Sequence, residues 1–276
     1  MTPYCKVFFL LIVIVFTACR SERKPDAIVS PPDADNKIEK VEAVEEPLEI
    51  SMDRVLRLDN TETGDAELEK ICRTYPELAE LTLGGTKVTD ASLVYLVQLT
   101  KLKKIRLSQT AITDDGMNAL AKCKTLEDID VSQTKISSPG VRELAVLPRL
   151  KSLNLYLTFV TNSGLDAFPT TIERLNLDKC PITDEGLTKL ASLSKLAWMH
   201  LGGTAITDAG LAELAKLQSL KEVIVTKTET TLEGVEKLRQ DRPDMKVRDN
   251  VSENTPPEDI EEAAEYRKKL AHLRNG

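Results

Sequence analysis

A repeat of about 24 residues runs through most of this chain and constrains its fold more than any other feature. Its clearest copy is Leu201–Leu217, and one threonine marks each copy at spacings of 22 to 25 residues. The marker positions are Thr61, Thr86, Thr110, Thr134, Thr158, Cys180, Thr204 and Thr228, with cysteine replacing threonine once. A period of this length is typical of a stack of similar units in which each unit packs only on its neighbours.

Each copy contains an alternating apolar segment followed by a segment with helical spacing. Pairs such as Leu81 and Leu83 predict short strands whose apolar side chains point into the core. Triples such as Leu93, Leu96 and Leu99 predict short helices that pack one apolar stripe against those strands. The pattern therefore predicts an α/β solenoid with a curved parallel sheet of seven or eight short strands and helices on its convex side.

A polar column precedes each helical segment, and we interpret its members as helix N-caps. They are Asp65, Asp90, Asp114, Ser138, Asn162, Asp184 and Asp208. Each side chain can accept a hydrogen bond from a free backbone N–H at the start of a helix. Because serine and asparagine occur among the acids, capping is favoured over a catalytic or metal-binding row. The glycines two positions further on predict close packing or an unusual backbone angle.

These columns read LxxLxLxxTxITDxGLxxLxxL, which resembles the cysteine-containing, ribonuclease-inhibitor-like class of leucine-rich repeats. In that class cysteine or asparagine commonly occupies the column that holds threonine here, and Cys180 stands in it. The resemblance covers about 195 residues and implies a right-handed horseshoe with a concave sheet. It says little about function, because fold and site are separate matters. The class includes protein-binding adaptors and many bacterial surface or periplasmic proteins.

The N-terminal segment predicts export. Val7–Ala18 is an uncharged run of twelve residues, apolar except for Thr17, which suits the core of a signal peptide better than a membrane span of about 20 residues. The run ends in Phe16-Thr17-Ala18-Cys19, which resembles a bacterial lipobox with phenylalanine where leucine is usual. The resemblance implies cleavage of residues 1–18 and lipid attachment at Cys19. An ordinary secretory signal or an uncleaved anchor is the alternative.

The chain divides by composition into further segments. Residues 19–46 are rich in charge and hold no aromatic residue, so we expect a disordered tether. Residues 47–250 form the leucine-rich-repeat domain of about eight repeats, which Arg242–Val247 closes with a last half-strand. Residues 251–276 form a polar C-terminal tail of helical composition.

Charge and composition exclude several classes of function. The net charge of −7 argues against a nucleic-acid partner, which needs a basic stripe. Two histidines, His200 and His272, leave little for a metal site or a catalytic dyad. We interpret Cys72, Cys123 and Cys180 as buried small hydrophobic residues. We therefore expect no cofactor, no metal and no enzymatic activity.

The outward-facing strand positions line the concave face and are the candidate binding surface. Its second half gathers aromatic, amide and basic side chains, namely Asn154, Tyr156, Arg174, Asn176, Trp198 and His200. Tryptophan, tyrosine and arginine dominate binding hot spots. We therefore predict that this half binds a partner and that Trp198 is at least half exposed. The alternative is that Trp198 covers a neighbouring side chain and the surface is merely solvated.

Two classes of function remain. The first is a non-enzymatic, lipid-anchored, monomeric module that holds a protein, or a glycan, at the bacterial cell envelope. The second is a structural or envelope-organising lipoprotein without one tight ligand.

Overall fold

Short strands alternate with short helices along residues 54–250, which are the part of the chain that the computed structural model describes. The strands are β1 (Val55–Arg57), β2 (Glu80–Thr82), β3 (Lys104–Arg106), β4 (Asp128–Asp130), β5 (Ser152–Asn154), β6 (Arg174–Asn176), β7 (Trp198–His200), β8 (Glu222–Ile224) and β9 (Lys246–Arg248). The α-helices are α1 (Asp65–Thr74), α2 (Asp90–Leu93), α3 (Asp114–Leu120), α4 (Ser138–Glu143), α5 (Asp184–Leu187), α6 (Asp208–Lys216) and α7 (Leu232–Asp241). Further 3₁₀ segments lie at Val94–Gln98, Leu144–Val146, Asn162–Ala167 and Thr188–Ser192.

Several predicted segments lie outside the described residues. They are the signal peptide, Cys19, the tether at residues 19–46 and the C-terminal tail, and they stay predictions. Between residues 54 and 250, every helix is too short or too polar to cross a bilayer.

The strands form one parallel sheet in chain order, from β1 to β9. Leu81, Ile105 and Ile129 are direct partners in neighbouring strands, as the repeat predicts. The described range holds nine strands rather than seven or eight, because Leu56 and Val247 continue the buried column at the two ends of the sheet. The open sheet with short helices confirms the predicted leucine-rich-repeat horseshoe.

Each threonine of the marker column forms a side-chain hydrogen bond within its own repeat. The hydroxyl of every column threonine donates to the backbone carbonyl three residues earlier, at distances from 2.5 to 2.8 Å. At Cys180 the thiol sulfur lies 3.0 Å from the carbonyl oxygen of Leu155 in the preceding repeat. The column is buried from Thr86 onward, so these bonds satisfy hydroxyls that would otherwise be costly inside the solenoid.

The polar column before the helices is not the N-cap column, and our interpretation of it is wrong. The N-caps are the residues immediately before it, such as Thr89, Thr113 and Thr207. Each member of the polar column instead accepts from the backbone N–H of the N-cap residue in the next repeat. Its five aspartates also accept from that residue's hydroxyl, at 2.5 to 2.7 Å.

The hydrogen bonds from the N-cap residues to the polar column of the preceding repeat form a ladder of side chains along the solenoid. The glycines two positions further on make room for this ladder. An added Cβ at Gly116, Gly140, Gly210 or Gly234 would collide with the carboxylate of the preceding repeat's aspartate. None of these glycines has the left-handed backbone that would demand glycine for its own sake, so close packing is the reason. Where Ser92 takes the position, its hydroxyl donates to Asp65 at 2.6 Å.

We predict that Gly210→Ala lowers the free energy of unfolding by about 1–3 kcal/mol, although alanine favours helix, because its Cβ overpacks against Asp184. Asp184→Ala should cost about 1–2 kcal/mol, since it removes two hydrogen bonds from Thr207. The double variant should be less destabilised than the sum of the two. Urea unfolding of all three measures this, with the exposed Lys216→Ala as a control near zero. If the double variant were destabilised by the full sum of the two single effects, the predicted clash between the added Cβ and Asp184 would be wrong.

Candidate binding site on the concave face

The outward-facing residues of neighbouring strands lie side by side in two rows. In the first row the register aligns Ser152, Arg174 and Trp198, and in the second it aligns Asn154, Asn176 and His200. A shallow groove of about 220 Å³ runs across β2 to β7 along these rows. Its polar lining is Glu80, Thr82, Lys104, Arg106, Asp128, Asp130, Ser152, Asn154, Arg174, Asn176 and Trp198.

Charged side chains at the two ends of the face are matched across strands. Toward the N-terminal end, Arg57 lies 3.5 Å from Glu80, Lys104 lies 3.5 Å from Asp128, and Arg106 lies 3.5 Å from Asp130. At the other end, the single carboxylate of Glu222 forms ion pairs with both Arg248, at 2.6 Å, and Lys246, at 3.8 Å. The basic members of these pairs are exposed, so the pairs neutralise the surface more than they stabilise the fold.

Arg174 and Trp198 form a stacked pair in the middle of the groove. The guanidinium carbon of Arg174 lies 4.4 Å from the centre of the Trp198 ring, a cation–π geometry that holds an arginine flat against the indole. Within residues 54–250 Arg174 makes no ion pair with a carboxylate. The stack therefore presents a fixed positive charge to the groove.

Trp198 is partly buried, so the prediction that it is at least half exposed is wrong. Arg174 covers one face of the indole, and the ring of His200 packs against it at 6.0 Å between centres and an angle of 61°. One cross-strand neighbour and one residue of the same strand therefore cover part of the ring, and the rest of it lines the groove.

The side-chain amides of Asn154 and Asn176 are each held by a backbone N–H two residues further along the chain. The side-chain oxygen of Asn154 accepts from the N–H of Tyr156 at 3.1 Å, and that of Asn176 accepts from the N–H of Asp178 at 3.0 Å. A backbone N–H can only donate, so the accepting atom is the oxygen, and the NH₂ group is the end left for a ligand. Both amides therefore act as donors toward the groove.

His200 and Asp178 form a second polar pair beside the stack. The His200 Nδ1 atom lies 3.9 Å from an Asp178 carboxylate oxygen. Burial lowers the pKa of His200, and the nearby carboxylate opposes that shift. Burial also raises the pKa of Asp178. The pair has room because residue 202 is glycine: an added Cβ there would lie 2.9 Å from both the Asp178 and the His200 side chain.

The structure brings four of the six predicted site residues into one groove. Asn154, Arg174, Asn176 and Trp198 line it, whereas Tyr156 and His200 lie outside its lining. The Tyr156 ring instead faces the ammonium group of Lys179 at 5.7 Å. Sequence reasoning missed Ser152 and the charged residues of β3 and β4 as parts of the same groove. Their place in the outward-facing columns is the signal that could have found them.

The three cysteines of the described range are buried free thiols, as predicted. Burial raises the pKa of Cys72 to about 12 and those of Cys123 and Cys180 to about 11. They are therefore protonated at neutral pH and unreactive. No cluster of three metal-ligating side chains lies between residues 54 and 250.

Comparison with known proteins agrees with this geometry. The family model described as Leucine Rich repeat matches residues 98–121, 122–145 and 169–191. An internalin (inlF) from Listeria monocytogenes is similar with a TM-score of 0.55 and 19% identity, over 70% of this chain and 52% of that one. An internalin C2 (inlC2) from the same organism is similar with a TM-score of 0.55 and 27% identity, over 71% of this chain and 80% of that one.

The chain is a leucine-rich-repeat protein. It spans about half the length of the first of these internalins, and no curated protein sequence matches it. Leucine-rich-repeat solenoids are typical protein-interaction scaffolds, because their stacked repeats create an extended concave surface. The groove across β2 to β7 lies on that surface.

We predict that His200 titrates below its ordinary pKa of about 6.5 in this leucine-rich-repeat protein. At a pH between the pKa of His200 in the folded protein and its higher pKa in the unfolded chain, the unfolded chain binds more protons. His200 therefore makes the free energy of unfolding fall as the pH falls from the unfolded-state pKa to the folded-state pKa. Asp178→Asn should lower the His200 pKa further, because it removes the carboxylate that raises it.

Histidine resonances followed by NMR against pH measure this, with His272→Gln to assign the two signals. A His200 pKa at or above its ordinary value would contradict the burial of the imidazole.

Proposed function

We propose that this leucine-rich-repeat protein is a non-enzymatic, lipid-anchored module that holds a protein partner at the bacterial cell envelope through its concave face. The observation that carries the proposal is the stack of Arg174 on Trp198 inside the groove. Elsewhere on the face, basic side chains meet carboxylates across strands, whereas this pair offers an arginine and an aromatic ring to a ligand. Those are the residue types that dominate protein–protein hot spots.

Anchoring at the envelope is supported by the N-terminal sequence. The apolar run Val7–Ala18 followed by Cys19 has the order of a lipoprotein signal. Two or three acyl chains at Cys19 would hold the protein durably, where one chain gives only marginal binding. The charged segment of residues 19–46 would then let the solenoid stand away from the bilayer.

Further features of the proposal follow from the repeats. The thiol of Cys180, in the column where threonine is the rule, supports placing the repeats in the ribonuclease-inhibitor-like class. We also propose that the protein works as a monomer. The concave groove would then be open to its partner.

Cys19→Ala should abolish acylation and leave the precursor uncleaved by the lipoprotein signal peptidase, because the cysteine thiol is the acylated group. Mass spectrometry of the full chain expressed in a bacterium measures both outcomes. The control is Cys5→Ala, which removes the other N-terminal cysteine and should be processed like the wild type. A mature N-terminus at any residue other than Cys19 would exclude the lipoprotein assignment.

Trp198→Ala should weaken partner binding by about 2 kcal/mol or more, the scale of a hot-spot aromatic. It should lower stability by no more than about 1 kcal/mol, because the ring is an outward residue whose main described contact is the Arg174 stack. Lys104→Ala is the matched control, since it changes an exposed, paired residue of the same groove and should have a much smaller effect on binding.

Affinity capture from envelope extract by the full chain identifies the partner, and affinity and melting temperature are then measured on both variants. If Trp198→Ala lowers the melting temperature and leaves capture unchanged, the ring has a structural role and the proposed binding face is wrong. Failure of the full chain to retain any specific protein would instead favour an envelope-organising lipoprotein.

A further inference from the structure

Arg174 differs from the other basic residues in the outward rows of the described strands. The others each lie within 4 Å of a carboxylate on a neighbouring strand; they are Arg57, Lys104, Arg106, Lys246 and Arg248. The partners of Arg174 in the same row are Ser152 and Trp198, both uncharged. Arg174 therefore has no acidic partner in its row on either of the strands that flank it.

The stack on Trp198 leaves the hydrogen-bonding edge of the guanidinium free. A guanidinium carries its N–H donors in the plane of the group, and the indole occupies one side of that plane at 4.4 Å. Among the described residues, none accepts a hydrogen bond from the Arg174 guanidinium, whose residue donates only through its backbone N–H, to Lys151. A planar fork of donors held in this way matches the two oxygens of a carboxylate.

The neighbouring polar groups are also donors. The Asn154 and Asn176 oxygens are engaged by backbone N–H groups, so their NH₂ groups are the ends that remain. No residue between 54 and 250 bonds to the Ser152 hydroxyl, which can also donate. The nearest acidic groups of the groove, Asp128 and Asp130, are matched by Lys104 and Arg106. The centre of the groove is thus a donor cluster with one net positive charge.

We propose that this cluster, formed by Arg174, Ser152, Asn154 and Asn176, binds the carboxylate of an aspartate or glutamate side chain on the protein partner. This inference rests on the proposed function, since it names the partner chemistry of the same groove. A carboxylate fits better than a phosphate group, because the cluster has one arginine and no second unmatched cation.

The test uses capped Gly-Glu-Gly, Gly-Gln-Gly and Gly-Lys-Gly peptides added to the full chain in detergent. Trp198 is the single tryptophan of the chain, so its fluorescence reports on the stack directly. The glutamate peptide should bind about tenfold or more tightly than the glutamine peptide, because hydrogen bonds to a charged group are the stronger ones. The lysine peptide should not bind, since the cluster is positive.

Arg174→Gln should abolish the preference for the glutamate peptide, and Arg174→Lys should reduce it, because an ammonium lacks the planar fork. The control is Arg57→Gln, which removes a paired arginine outside the groove lining and should bind like the wild type. Thermal unfolding checks that each variant is folded. Equal binding of the glutamate and glutamine peptides, no binding of the glutamate peptide, or a preference for the lysine peptide would each overturn the proposal.

These outcomes are separable from failure of the proposed function. If Trp198→Ala still abolishes capture of the envelope partner while the peptides show no carboxylate preference, the binding face stands and only the carboxylate assignment fails. If capture is insensitive to Trp198 but the glutamate peptide binds through Arg174, the cluster stands and the proposed role in partner capture fails.

Discussion

The ladder of aspartate and threonine side chains between repeats is the interaction on which the rest of the solenoid depends. Each aspartate receives two hydrogen bonds from the N-cap residue of the next repeat, while that threonine or serine begins its own helix. The parallel strands join the same repeats on the inner side. Neighbours are thus tied on both sides of the core, as expected where stability is a sum of contacts between adjacent repeats. The glycine column follows from the ladder, because a Cβ there would occupy the space of the carboxylate.

The core and the order of strands could be predicted from the sequence, because burial imposes a period of two on strands and 3.6 on helices. Leu81, Ile105 and Ile129 stack as that logic requires. Which of the two adjacent polar columns supplies the helix N-caps could not be predicted, since threonine and aspartate are both good caps. What decides it is a contact between Asp90 and Thr113, 23 residues apart, and periodicity within one repeat does not show such contacts. The left-handed turns were missed for a related reason: Leu157 and Lys227 adopt them without being glycine.

The candidate site was predictable as a set of columns but not as a surface. A spacing of 24 residues places Arg174 beside Trp198, yet it does not show that the guanidinium covers the indole and reduces its exposure. The same spacing pairs Lys104 with Asp128. Side-chain pairing across strands therefore divides the concave face into matched ends and an unmatched centre. Tyr156 and His200 have the right chemistry, but they lie beyond the groove, one facing Lys179 and the other Asp178.

Preorganisation connects the scaffold to its proposed binding role. A free arginine side chain loses considerable rotamer freedom when it grips a ligand, but Arg174 is already stacked on Trp198. Asn154 and Asn176 are likewise fixed by backbone N–H groups before a ligand arrives. Donors fixed in advance lose less entropy on binding, so a few side chains on three short strands can select a partner without a deep pocket. The ladder sets the spacing of the repeats, and that spacing sets the distances between these donors. The structural columns and the binding face are therefore parts of one arrangement, in which a change that loosens repeat contacts near β6 would also misplace the groove.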